Sequence, residues 1–94
     1  MPASKTVSIS ASAVIQTGAC YVHSVYVEAG DDTATAALAD ALVAAQTRKL
    51  GCRAQATNQQ DRVIPGLGAY FGTGIYSTIS GTTPIVEITY SLAG

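Results

Sequence analysis

The clearest pattern of apolar and polar positions lies near the C-terminus, in residues 73–92, TGIYSTISGTTPIVEITYSL. Val86, Ile88, Tyr90 and Leu92 fall on one side of an extended chain and Glu87, Thr89 and Ser91 on the other, the period of two of a half-buried antiparallel strand. In the preceding run Ile75 and Ile79 lie opposite Tyr76 and Thr78, so either side suits burial. Turn residues Ser80, Gly81, Thr82, Thr83 and Pro84 separate the two, and the pair reads as a hairpin that walls the core. At the other end, Val7, Ile9, Ala11, Ala13 and Ile15 alternate with Ser8, Ser10, Ser12 and Val14, which predicts one first strand with a small, flat apolar face. A turn over Gln16–Ala19 leads to a second strand, Cys20–Ala29, with apolar groups on both faces. That places it in a sheet interior or beneath an oligomer contact.

Residues 30–50 support two readings. Ala34, Ala37, Leu38, Ala41, Leu42 and Ala45 have helical spacing, Asp31 or Asp32 can cap, and Ala and Leu are strong helix formers, so local propensity favours a helix. The competing reading takes Thr33–Leu38 as a strand, then a bend around Asp40 and a short strand near Val43. Arg48–Arg53 holds three of the five basic residues around Leu50, Gly51 and Cys52, the composition of a solvated turn. Thr57–Asp61 is a polar connector, Arg62–Ile64 a short extended piece ended by Pro65. Gly66, Gly68, Gly72 and Gly74 then punctuate the approach to the C-terminal strands.

At 94 residues the chain is one domain. It buries only about 60–65% of its unfolded surface, which makes stabilisation by partner subunits useful. One Phe, no Trp and an excess of Ala and small polar residues fit thin strands in close packing. Five Lys or Arg against six Asp or Glu give a net charge of −1, with no broad basic surface for nucleic acid. So low a charge is tolerated most easily where large interfaces are buried. There is no apolar run near 20 residues to span a membrane, and the N-terminus lacks the pattern of a secretory signal. Cys20 and Cys52 allow at most one bridge, and the reduced state is the simpler expectation.

Chemistry-bearing patterns are sparse. The four glycines around Tyr70 and Phe71 lack the Lys-Ser or Lys-Thr of a phosphate cradle and read as tight turns. His23 has no second His at ligand spacing, and two separated cysteines do not complete a zinc site. Asp31, Asp32, Asp40 and Asp61 lack a calcium-loop spacing. His23 and Ser24, as strand neighbours, point to opposite faces and make no catalytic pair. The reading is of a non-enzyme with no cofactor or metal. Tyr21, Tyr26, Tyr70, Phe71 and Tyr76 are the candidate interface residues, equally suited to protein or to glycan.

The Gly74-Ile75-Tyr76 and Ser80-Gly81-Thr82-Thr83-Pro84 segments with their final Val/Ile/Thr/Tyr strand, together with the Ser/Ala-alternating first strand and the Tyr21–Gly30 strand, resemble a group of small β-rich virion proteins of tailed bacteriophages, among them capsid decoration or cement proteins. The resemblance covers both ends of the chain and its middle only weakly. It implies a mainly β fold, a compact antiparallel sandwich or barrel, jelly-roll-like, spanning 1–94. There is room for one short helix around 38–48, and residues 1–5 form a flexible or partner-docked tail. It also favours the strand reading of Thr33–Leu38. The implied role is structural: a homo-oligomer, with a trimer favoured, that clamps adjacent major capsid subunits on the outer capsid surface and is assembled in the host cytoplasm. A tail or neck component and a carbohydrate-binding or adhesion module are the alternatives. In the cement role, the 57–62 connector and the N-terminal tail serve as adaptable edges.

Overall fold

The computed structural model describes residues 4–44, 47–66 and 68–93. Among them the chain forms β1 (Lys5–Ile9), β2 (Ala13–Thr17), β3 (Cys20–Glu28), β4 (Ala34–Ala39), β5 (Leu50–Ala54), β6 (Gln59–Val63), β7 (Ala69–Phe71), β8 (Gly74–Ser80) and β9 (Ile85–Leu92). Two antiparallel sheets result, the first in the order β1-β9-β3-β6 with β7 also on β3, the second in the order β2-β8-β4-β5. The pairings β1 with β9, β2 with β8, β3 with β6 and β7, and β4 with β5 are nested, like a ribbon doubled back at the β4–β5 connection. Rolling that ribbon up adds the β3–β9 and β4–β8 ladders. This is a jelly roll. β6 and β7 act as one interrupted strand, lying against Ser24–Glu28 and Cys20–Val22 of β3 in turn.

The topology corrects the expected hairpin over residues 73–92. β8 belongs to the second sheet and β9 to the first, so residues 81–84 arch between sheets. Both strands have an apolar side that must reach the same core, and they do so from opposite walls: Ile75 on β8, and Val86, Ile88 and Tyr90 on β9, are buried. Leu92, assigned to that face by periodicity, is 37% exposed at the strand's end. The expected single strand over Val7–Ile15 likewise divides at residues 10–12 into β1 and β2, one in each sheet. The period of two survives, but the chain changes walls.

No helix occurs among the described residues, so the short helix expected around 38–48 is not formed there; Ala45 and Gln46 lie outside the described residues. Ala34, Ala36 and Leu38 point inward and are completely buried while β4 pairs on both sides, with β5 and β8. Two ladders and a core face outweigh the modest helix propensity of alanine. The bend at Asp40 is present, but the second strand expected near Val43 comes later, at Leu50–Ala54, where a turn was expected. The polar connector is also a strand: every residue of β6 is exposed, yet all five pair with β3. An edge strand of this kind has no apolar face to betray it. Lys5, expected in the tail, pairs with Tyr90 as the first residue of β1; residues 1–3 of that tail lie outside the described residues.

Val22, Val25, Val27, Val86 and Ile88 of the first sheet meet Leu38, Ile75 and the inward alanines of the second, with Phe71 wholly buried between. The accessible surface, 5151 Å², is close to the roughly 5,100 Å² of a compact monomer of this mass, so the core closes without a partner.

Candidate functional site

Nesting the strands gathers the β2–β3, β4–β5 and β7–β8 connections at one end of the sandwich. Asp40 holds that end together. Its carboxylate accepts the backbone N–H groups of Gly72 (3.1 Å), Thr73 (2.7 Å) and Gly74 (3.3 Å), tying the β4–β5 loop to the crossover from β7 to β8. The Thr73 hydrogen bond is the main reason its carboxyl titrates below the usual range, with Gly72, Gly74 and the charge of Lys49 adding to it. Gly74 has φ +153°, and a Cβ there would collide with the Gln16 carbonyl oxygen, so the approach needs glycine. At the opposite end Asp32 accepts the Thr82 N–H at 2.8 Å and pins the β3–β4 loop to the β8–β9 arch. Asp31 lies beside it and Asp61 is on β6, so the four aspartates are dispersed.

The tyrosines separate into two faces. Tyr21 and Tyr70 meet on the outside of the first sheet, ring centroids 5.2 Å apart and planes at 52°. Lys49 sits 5.8 Å from the Tyr70 ring and 5.3 Å from that of Phe71, and its Nζ donates to the Tyr70 carbonyl. Tyr26 shares the outer face of that sheet, where it pairs with Asp61 and Glu87 and donates to Glu28 (3.1 Å) and Gln59 (3.0 Å). Partial desolvation raises its phenol pKa first, and the Glu28 hydrogen bond and the charges of Glu28, Glu87 and Asp61 raise it further. Tyr76 lies on the outside of the second sheet, opposite Val14 and Ala39. Phe71 is wholly buried and offers no surface. The five expected interface residues therefore comprise an adjacent pair, two single positions on opposite faces, and one core residue.

Tertiary structure creates one pairing that sequence proximity hides. A register shift in β3 at His23 turns its ring toward β9, where Nε2 lies 2.8 Å from Ser91 Oγ. This is the reach of a nucleophile and its base, but Nδ1 faces Gly68, where an orienting carboxylate would be required. Among the described residues no group of three His, Cys, Asp or Glu side chains is arranged to hold a metal. Cys20 and Cys52 are free and buried.

No family model, curated protein or solved structure matches this chain.

Two surface features remain. A cleft of about 420 Å³ beside the β5–β6 crossing is lined by Arg53, Ala54, Gln55, Asn58, Gln59 and Gln60. Of the large apolar side chains left exposed, Val43 (69%), Tyr70 (48%), Leu42 (40%) and Leu92 lie on elements that reach the Asp40 end, while Val14, Val63 and Ile85 are exposed elsewhere. The sequence offered Leu42 to a helix and Val43 to a short strand, and only the loop conformation makes them surface.

Proposed function

We propose that this chain is a non-enzymatic structural subunit of a tailed-phage virion, a capsid decoration or cement protein that self-associates, as a trimer at threefold positions, and binds adjacent major capsid subunits. The observation that carries this reading is the set of exposed apolar side chains at the Asp40 end, Leu42, Val43, Tyr70 and Leu92, on a weakly charged jelly roll. Apolar groups held by a short rigid anchor such as Asp40 suit docking against another protein, because little ordering entropy is lost on binding. Repetition of a modest contact over a symmetric shell multiplies its effect. The resemblance of the Gly74–Tyr76 and Ser80–Pro84 segments supplies the virion context. The test is immunogold labelling of intact particles from lysates that contain the chain. Label over the heads supports the reading, label on tails or necks redirects it to another virion component, and particles free of label overturn it.

A glycan-binding reading draws on the β5–β6 cleft. Its amides each offer a donor and an acceptor, the combination that pairs with vicinal hydroxyls, and Arg53 adds a donor fork. Gln59 is already oriented by Tyr26. Selective signal on a glycan array that disappears in Gln59→Ala would favour this function over capsid binding.

A further inference from the structure

The broad outer faces of the two sheets carry opposite charge. On the first sheet, register places Glu28, Asp61 and Glu87 around Tyr26, on the side away from buried Val25 and Val27. No Lys or Arg occupies an outward position of that sheet among the described residues: Arg62 pairs with inward-facing Val25 and reaches across to the Gly51 carbonyl, and Lys5 pairs with inward-facing Tyr90. On the second sheet Arg53 pairs with Thr35 on the outside, and Arg48 folds over Gly51, where an added Cβ would meet its Nη1 at 2.7 Å. The neighbouring outward positions are Ala37, Ala39, Thr78 and Ser80, with no carboxylate among them. Asp31, Asp32 and Asp40 are left in the loops at the two ends.

The faces also differ in their aromatic content: Tyr21, Tyr26 and Tyr70 stand outward on the first sheet, whereas the second carries Tyr76 beside Val14 and Ala39 and is otherwise built of small residues such as Ala37 and Thr78, with Arg48 lying over Gly51. The molecule measures 40 × 24 × 18 Å. One broad face thus spans on the order of 1,000 Å², enough for the roughly 800 Å² each partner contributes to a stable interface.

We propose that copies of this chain associate head to tail, the Glu28/Asp61/Glu87 face of one docking on the Arg48/Arg53 face of the next. Two different faces meet, so the contact is heterologous and builds a ring wherever its rotation closes. Tyr26, among the carboxylates, meets an arginine on the partner, which supplies a cation–π contact beside the ion pairs. This inference rests on the self-association in the function proposed above and is independent of its capsid assignment.

The test uses purified protein and light scattering coupled to size exclusion. One variant, Arg48→Glu with Arg53→Glu, makes both faces acidic; the other, Asp61→Lys with Glu87→Lys, makes both basic. The wild type is expected to be an oligomer that dissociates as salt is raised. Each variant alone is expected to be monomeric, and an equimolar mixture to associate again, because each acidic face then meets a basic one. Strict alternation permits only even-numbered rings, so a wild-type trimer becomes a different, even-numbered assembly in the mixture. Circular dichroism checks that both variants fold. The milder Arg53→Gln and Glu87→Gln changes are each expected to weaken association roughly tenfold and serve if a charge-reversed variant fails to fold. A monomeric wild type overturns both this inference and the self-association reading. A wild-type oligomer whose mass is unchanged in either variant, or a mixture that stays monomeric, overturns the head-to-tail contact alone.

Discussion

Replacing Asp40 with Asn isolates the charge at the joint between the β4–β5 loop and the β7–β8 crossover. The side chain keeps its size, but its amide nitrogen now confronts one of the N–H groups of Gly72, Thr73 and Gly74 that the carboxylate accepted. Hydrogen bonds to a charged acceptor contribute about 1.5–3 kcal/mol each and neutral ones about half that, and solvent screening at this exposed position reduces the difference. The expected loss at neutral pH is about 1–2 kcal/mol, where each kcal/mol lowers the melting temperature of a domain this size by about 4–8 °C. The Asp40 carboxyl is acidified by folding, so its stabilisation is complete above about pH 4, the ordinary carboxylate value, and is lost as pH falls through the lowered folded-state value. Urea denaturation of wild type and Asp40→Asn across the acid range should show a gap that is constant near neutrality and closes on acidification. A gap that persists unchanged into strong acid, or none at any pH, would refute the role assigned to the charge.

Ser77 is completely buried on β8 and its hydroxyl has no hydrogen-bond partner, so Ser77→Ala should raise stability by about 1 kcal/mol in a thermal melt; a loss of stability would show that the hydroxyl is satisfied. Gly18 and Gly74 both have positive φ, but a Cβ is unobstructed at Gly18 and meets the Gln16 carbonyl at Gly74. Gly18→Ala should therefore cost about 1 kcal/mol and Gly74→Ala several-fold more, with equal losses counting against the crossover geometry. Burial pushes both thiols up, and the negative charge of Asp40 adds to this at Cys20. Neither cysteine should react with a thiol reagent at neutral pH until the protein is denatured, and stoichiometric labelling of the native state would contradict their placement in the core.

Apolar groups on both faces of Cys20–Ala29 pointed to a sheet interior or an oligomer contact, and β3 lies inside the first sheet between β9 and β6. Alternation alone identified Val86, Ile88 and Tyr90 as a core face, because a period of two is a local property that survives whatever sheet the strand joins. Alternation is silent on which sheet that is. The run from Gly74 to Leu92 has the same pattern as a hairpin or as an arch, and only the need for two walls around one core separates β8 from β9. The same need overrode the helix propensity of Ala34–Ala39, whose alternate residues fill a thin interior. β6 was visible only in its last residues, within Arg62–Ile64, because the other exposed residues of the strand are polar and it is held chiefly by backbone pairing with β3. Among candidate sites, the chain showed its tyrosines as types but not as faces. Bringing His23 to Ser91, Asp40 to residues 72–74, and opposite charges onto opposite outer faces depends on residues far apart in sequence, and so on the register that only tertiary packing sets.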